Sequence, residues 1–343
     1  MWLKPLVMKI DIIIKSFNRP YYLDRCLYSI QKYFINFDGT IIVVDDGTPW
    51  HYLVKIQEKY PKVTIVKSDF YEQKSKEVIN KTGKQISKIP INSWLDVVTN
   101  VSDNFLLLED DIWFREAFDS KELDAFSNGN FTMFKMFWLN NQNIIKSRVL
   151  RSNNQFVAYL PELLTKNPLF FKLVFNSHKF GISKFFQRLN INSYQNLLPY
   201  YSIYSVAGVI YSKDYFLSLW KNHNNLVNEK LQIFNALHYL KHNEGTFIRS
   251  QKELLKTSFL SSATNFYKNN QGFSFDMMLF NDLLNEKWFE NELEVTQNLE
   301  SDLCETTISS FLEAKKNPKI SNENWIKWKN DFKNQFVVIG CNF

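Results

Sequence analysis

Three residue types that mark common classes of function are scarce in this chain. It has 3 cysteines in 343 residues, Cys26, Cys304 and Cys341, too scattered for a metal spacing or a disulfide framework, which points to a reducing cytosol. Its 9 glycines form no GxGxxG after a strand, so the dinucleotide-binding fingerprint is excluded. Its 5 histidines, His51, His178, His223, His238 and His242, lack zinc-type spacing apart from His238 and His242 four residues apart, and no HExxH glutamate accompanies that pair. No apolar run reaches the roughly 18 to 20 residues of a membrane-spanning helix. The opening MWLKPLVMK is too short and interrupted for a secretory signal, so a soluble protein is expected, cytoplasmic or peripheral at the inner face of a membrane.

With 45% hydrophobic residues the chain can bury a sizeable core, as one large domain with an appendage or as two smaller ones. A net charge of +6 is modest, and no nucleic-acid reading motif is present, so nucleic acid is not an expected partner.

The densest chemistry lies in FLLLEDDIWF, Phe105 to Phe114, where apolar residues run into Glu109, Asp110 and Asp111. Such a run reads as a buried strand of a mostly parallel sheet, and in open α/β sheets ligands bind beyond the carboxyl ends of the strands. Adjacent carboxylates repel one another unless a cation neutralises them, and hard oxygen ligands suit Mg²⁺ or Mn²⁺, ions that commonly bridge phosphates. A solvated strand-to-loop turn is the plain alternative. Two upstream segments share the form. Ile12 to Ile14 break at Ser16, Asn18, Arg19 and Pro20, ahead of Leu23, Leu27 and Ile30 at helical spacing; Ile41 to Val44 end in Asp45, Asp46 and Gly47. With a third short run from Val63 to Asp69, strands and helices alternate from residue 9 to 114, which predicts right-handed βαβ units.

On SFNRPYYLDRCLYSI, IIVVDDGTP and LLLEDDIWF, in that order and spacing, the chain resembles nucleotide-sugar-dependent glycosyltransferases of the GT-A fold, most closely glycosyltransferase family 2. SVAGVIYSKDYF, Ser205 to Phe216, is similar to that family's acceptor-side segment, and the match fades beyond about residue 220. The resemblance implies a Rossmann-like, mostly parallel sheet flanked by helices. It also implies transfer of a hexose from a nucleoside diphosphate sugar, UDP-linked by family habit, to a glycan acceptor that is lipid-linked in many such enzymes, in the setting of bacterial capsule, O-antigen or exopolysaccharide synthesis. Carried across, Ser16, Asn18 and Arg19 would lie under the nucleotide, and Asp46, with Asp45 as second choice, would accept from the base. Glu109 and Asp110 would lie near ribose and donor sugar, and Asp111 would hold Mn²⁺ or Mg²⁺ on the diphosphate. Of the basic residues Lys74, Lys76, Lys84 and Lys88, most are expected to be solvated surface.

The general base departs from the pattern. Inverting members carry an acidic pair opening the helix after the acceptor segment; here that helix reads LQIFNALHYLKHNEG, and counting back from Gly245 lands on Phe234 and Asn235. An inverting transfer needs a group within reach of the acceptor hydroxyl, and Glu229, His238 and Glu244 are the nearby candidates, with Asp276 more distant. A shifted base, a retaining reaction and lost activity all stay open. The last would make the chain a degenerate GT-A module that binds a glycan or a partner transferase.

The organisation expected is a GT-A domain over residues 1–265, with a helical insertion at about 155–200, and a helical C-terminal extension over 266–343. In the insertion Ile182, Phe185, Phe186 and Leu189 keep helical spacing among Lys172, Lys179, Lys184 and Arg188, which suits packing over the acceptor side or, alternatively, contact with an anionic membrane. In the extension Met277, Phe280, Leu284 and Trp288 share one face, a later helix spans Asn322 to Phe332, and the Trp content predicts that the segment packs on the rest of the chain or on a partner.

Overall fold

The structure, a computed structural model, describes residues 8–81, 88–176, 186–264 and 275–343. Lys84, His178, Lys179, Ile182, Lys184, Phe185 and the expected boundary at 265 lie outside the described residues. In chain order, β1 (Ile10–Ser16) leads into α1 (Pro20–Tyr33), β2 (Phe34–Ile35), β3 (Ile41–Asp45), α2 (Trp50–Lys59), β4 (Val63–Lys67), α3 (Tyr71–Ile79), α4 (Ile91–Thr99) and β5 (Asn104–Glu109). Next come β6 (Ile112–Phe114), β7 (Phe118–Asp119), α5 (Ser120–Ser127), β8 (Met133–Lys135), β9 (Ser147–Ser152), β10 (Phe156–Pro161) and α6 (Pro168–Phe175). The one-turn α7 (Tyr194–Leu197) and a 3-10 turn (Leu198–Ser202) precede β11 (Val209–Ser212), α8 (Lys213–Leu219), α9 (Glu229–Leu240), β12 (Phe247–Ser250) and β13 (Leu255–Thr257). Then follow α10 (Met277–Phe289), α11 (Glu305–Lys315) and α12 (Asn322–Val338).

The central sheet has nine strands in the order β4-β3-β1-β5-β11-β8-β12-β10-β9. Its first four are parallel, as the alternation of strand and helix predicts. Beyond β5 the sheet turns mixed, with β11 antiparallel to both β5 and β8, β12 parallel to β8, and β10 antiparallel to β12 and β9. The apolar run of β1 follows from its central place: Ile12 and Ile14 enter one hydrophobic cluster and Ile13 the opposite one, so neither face can be polar. The α/β architecture with helices on both faces is therefore the one expected. The segment from 155, expected to be helical, opens instead as β10, because Phe156, Val157 and Ala158 bury as a strand against β12 before α6 begins.

The C-terminal helices are packed tightly onto the sheet domain. Met277, Phe280, Leu284 and Trp288 are buried as their spacing predicts, in the same cluster as Leu23 and Leu27 of α1. Trp288 Nε1 donates to Asp24 Oδ2 at 2.9 Å, and Arg25 reaches the carbonyls of Val295 and Asn298 at 2.6 Å each. α12 starts at Asn322 as expected and runs past Phe332 to Val338; Trp325 anchors it, fully buried, with Nε1 donating to Leu260 O at 3.0 Å. Among the described residues no helix is long and apolar enough to cross a membrane.

Candidate active site

Register brings the three motifs together. In the parallel ladders Ser16 pairs with Asp45 and Lys15 with Glu109, so β3, β1 and β5 end side by side at one edge. Two backbone bonds continue the ladder into the loops, Asp46 N to Ser16 O at 2.9 Å and Asp110 N to Lys15 O at 3.0 Å.

Arg19 is the electrostatic centre of this edge. It is buried; Nη2 pairs with Asp110 Oδ1, and Nη1 donates to Asp111 Oδ2 at 2.7 Å. Burial alone would lower the pKa of the guanidinium, but Asp110 and Asp111 outweigh it and hold it above its ordinary value. Asp110, whose other oxygen accepts from Phe17 N at 3.2 Å, is pushed up to about 7, burial outweighing Arg19. Asp111 is raised in the same way by burial. Glu109 goes the other way: burial would raise it, but Lys15 Nζ at 2.8 Å keeps it below the usual value.

Asp45 and Asp46, adjacent in sequence, do different work. Asp45 is wholly buried and folds its own turn, accepting from Gly47 N at 3.0 Å, Thr48 N at 2.7 Å and Thr48 Oγ1 at 2.7 Å. Asp46 looks outward from the turn, with Oδ1 accepting from Ser68 Oγ at 2.5 Å and Oδ2 paired with Lys74. Lys74 is buried, unlike the exposed Lys76 and Lys88; a Cβ on Gly47, whose φ is +131°, would lie 2.6 Å from Lys74 Cβ, so the close approach of α3 to this turn requires glycine. Asn18, at φ +50°, is fully buried and structural in its contacts: its N–H donates to Thr48 Oγ1 at 2.8 Å, and Asn285 Nδ2 of α10 reaches its Oδ1 at 3.0 Å.

A cavity of about 430 Å³ opens beside Asp111. Glu109, Asp111 and Glu229 line it together with Lys135 and Tyr201, and Phe336 of α12 forms part of its far wall. Glu229, at the start of α9, accepts from Tyr201 OH at 2.5 Å, which puts this one of the three base candidates in the same cavity as Asp111. The others lie elsewhere. Exposed His238 lies edge-on to Phe234 and tilted against His242, and exposed Glu244 borders a separate depression with Leu237 and Leu240. Asp276 caps α10, its Oδ1 accepting from Met278 N at 3.1 Å and Leu279 N at 3.2 Å. At the slot where an acidic pair is expected, Asn235 ties α9 to the carbonyls of Leu219 and Lys221 at 2.8 Å each.

Among the described residues no group of three His, Cys, Asp or Glu side chains could hold a metal by itself. Asp111 Oδ1, however, is a buried oxygen that no hydrogen bond reaches. One such carboxylate oxygen fits Mg²⁺ or Mn²⁺ of the kind that completes its shell with water and substrate phosphates.

Sequence reasoning overlooked two residues of this site. Lys135 sits in FTMFKMFW as a single charge within an apolar run, a pattern that marks a buried cation. Tyr201 has no sequence signal, because its role depends on a turn that delivers it to Glu229.

No family model matches the chain, and no curated protein matches it. Among solved structures it is similar to TarS of S. aureus, residues 1–349, in complex with UDP, at 15% identity over 96% of this chain and 72% of that one, with a TM-score of 0.39. It is also similar to the WbbM bifunctional glycosyltransferase (13%, 97% and 53%, TM-score 0.36) and to GalNAc-T7 with UDP, GalNAc and Mn²⁺ (10%, 98% and 57%, TM-score 0.43). At these TM-scores the likenesses do not bear on what this chain does.

Proposed function

We propose that the chain is a GT-A glycosyltransferase resembling family 2 that transfers a hexosyl group from a nucleoside diphosphate sugar, UDP-linked, to a glycan acceptor with inversion, in bacterial surface polysaccharide synthesis. Residues 1–265 would form the transferase unit, and the extension from 266 would support it. The observation that carries this reading is the convergence of three parallel strand ends, which sets Asp46 with Lys74 and Asp110, Arg19 and Asp111 along one edge beside a cavity that also holds Glu229. Ligands bind at this edge of open α/β sheets.

In this reading Asp46 accepts from the base once Lys74 turns toward the phosphates, and Asp111 holds the divalent ion through Oδ1. That ion would neutralise the charge that grows on the leaving diphosphate. Arg19 keeps Asp110 and Asp111 from repelling one another in the unliganded protein. Glu229, oriented by Tyr201, takes the proton from the acceptor hydroxyl as its oxygen bonds to the anomeric carbon and the bond from that carbon to phosphate oxygen breaks. The acceptor is lipid-linked, and α6 brings the protein to the inner face of the membrane.

A second reading draws on Arg19 itself. Because one guanidinium already pairs with both aspartates, a module that binds a glycan or partner without catalysis would also be stable. Calorimetric titration of nucleoside diphosphates, UDP first, with Mn²⁺ and again with EDTA separates the two. Transfer predicts micromolar, metal-dependent binding that Asp111→Ala abolishes and Asp46→Ala weakens about tenfold, the loss of one hydrogen bond to a charged group. Absence of nucleotide binding would favour the module, and unaltered affinity in both variants would refute the site.

A further inference from the structure

β8 lies in the middle of the sheet, between β11 and β12, and ends in Lys135, which is 2% exposed. A lysine so placed normally has a carboxylate against it. Among the described residues Lys135 Nζ makes neither a hydrogen bond nor an ion pair. Glu253 acts on it electrostatically from beyond ion-pair distance and spends its own Oε1 on Trp138 N at 2.5 Å and Asn140 N at 3.1 Å. Burial without a counter-ion brings the ammonium down to about 7, against the pull of Glu253.

In the cavity onto which Lys135 faces, the lining carboxylates and the thiol are all engaged. Glu109 pairs with Lys15 at 2.8 Å, Asp111 with Arg19 at 2.7 Å, Glu229 with the Tyr201 hydroxyl at 2.5 Å, and Cys341 with Asn141 Nδ2 at 3.6 Å. Much of the remaining wall is apolar, including Phe137, Trp138 and Phe336. A volume of about 430 Å³ falls within the range of small-molecule sites. Among the described residues Lys135 is the one cation of this lining and no lining carboxylate forms an ion pair with it; a ligand that enters from the Asp111 side would supply that partner.

We propose that Lys135 is the anion-binding post of an acceptor subsite, and that the acceptor sugar therefore carries a carboxylate or a phosphate. This rests on the transferase reading above. An acceptor anion seated on Nζ would restore the missing charge partner, and the phenyl and indole walls would pack the faces of its sugar ring. Lys135 thus selects and orients the acceptor while Glu229 handles the proton.

The test uses the full chain, with and without saturating UDP and Mn²⁺, and three calorimetric probes: methyl glucuronide for a carboxylate, glycerol 1-phosphate for a phosphate, and methyl glucoside as the neutral control. One charged probe should bind at least about tenfold more tightly than the neutral one, and Lys135→Met should remove that preference, a fold-change expected for the loss of one charge-assisted bond. The arm that binds identifies the anion. Equal affinity of the Met variant, no binding of either charged probe, or displacement of UDP by the probe would overturn the proposal, the last by assigning Lys135 to the donor phosphates. Should the Met variant fail to fold, ¹⁵N-lysine spectra of the native chain decide instead: the Lys135 signal must shift on adding the charged probe and stay still with the neutral one. UDP binding is read separately, so failure of the donor site and failure of the acceptor post give different results.

Discussion

At the scale of single residues, the site is a set of charges held against their preference for water. Arg19 is shared between two aspartates, and Asp46 and Glu109 each have one lysine, so every one of these four carboxylates has a cationic partner before any ligand arrives. Lys135 is the exception, and it has a measurable consequence. Its folded pKa of about 7 lies below the ordinary 10.5, so between those values the unfolded chain holds a proton that the folded chain has released. Raising pH through that window therefore favours the folded state, at a slope of about 1 kcal/mol per pH unit. Urea unfolding at steps across the window should show the native protein gaining stability relative to Lys135→Met as pH rises. Parallel curves for the two proteins would mean that Lys135 is protonated throughout.

At the scale of elements, α12 is both buttress and wall. Trp325 fastens its first half to Leu260 O and stacks on Phe280 of α10 with ring centroids 5.9 Å apart, while Phe336 in its second half borders the cavity. Trp325→Ala would leave a large void and an unpaired carbonyl, with an expected loss of about 3 to 5 kcal/mol read by urea unfolding. The same variant should make α12 sensitive to limited proteolysis under conditions in which the native chain resists it. A change under about 1 kcal/mol would show that α12 is held chiefly by its other contacts. Local periodicity predicts an end at Phe332; the helix continues because Phe336 finds Phe259, with centroids 5.2 Å apart, a partner 77 residues away that this periodicity does not reveal.

At the scale of the whole molecule, α6 turns Phe171, Val174 and Phe175 inward and leaves Leu169 (71% exposed), Phe170 (40%) and Leu173 (38%) outward beside Lys172. Packing on the domain and an outward apolar face are therefore both satisfied by one short helix. If the outward face meets a membrane, co-sedimentation with vesicles containing anionic lipid should fall severalfold on reversing Lys172 and Arg188 together to glutamate, each basic residue contributing about 1 kcal/mol near such a surface. Neutral vesicles should show little difference between the proteins. Unchanged sedimentation with anionic vesicles would leave α6 as a surface helix of the domain.

The chain's own pattern determined the strands β1, β3, β4 and β5, the helix α1, the buried face of α10, and the gathering of Asp46, Asp110 and Asp111 at one sheet edge. These follow from local rules: an uninterrupted apolar run buries on both faces, helical spacing sets one stripe inward, and parallel connections bring strand ends to the same side. Tertiary structure alone decided which of two adjacent aspartates folds its turn and which faces outward, that Lys74 is buried rather than solvated, that Glu229 meets Tyr201 while Glu244 and His238 lie elsewhere, and that Lys135 stands without a counter-charge. Apart from the Asp45 turn, which Gly47 and Thr48 close locally, these depend on residues distant in sequence. Arg19 meets Asp110 across 91 residues and Asn18 meets Asn285 across 267, and the balance between desolvation and pairing that sets a buried charge exists only once such partners have been brought together.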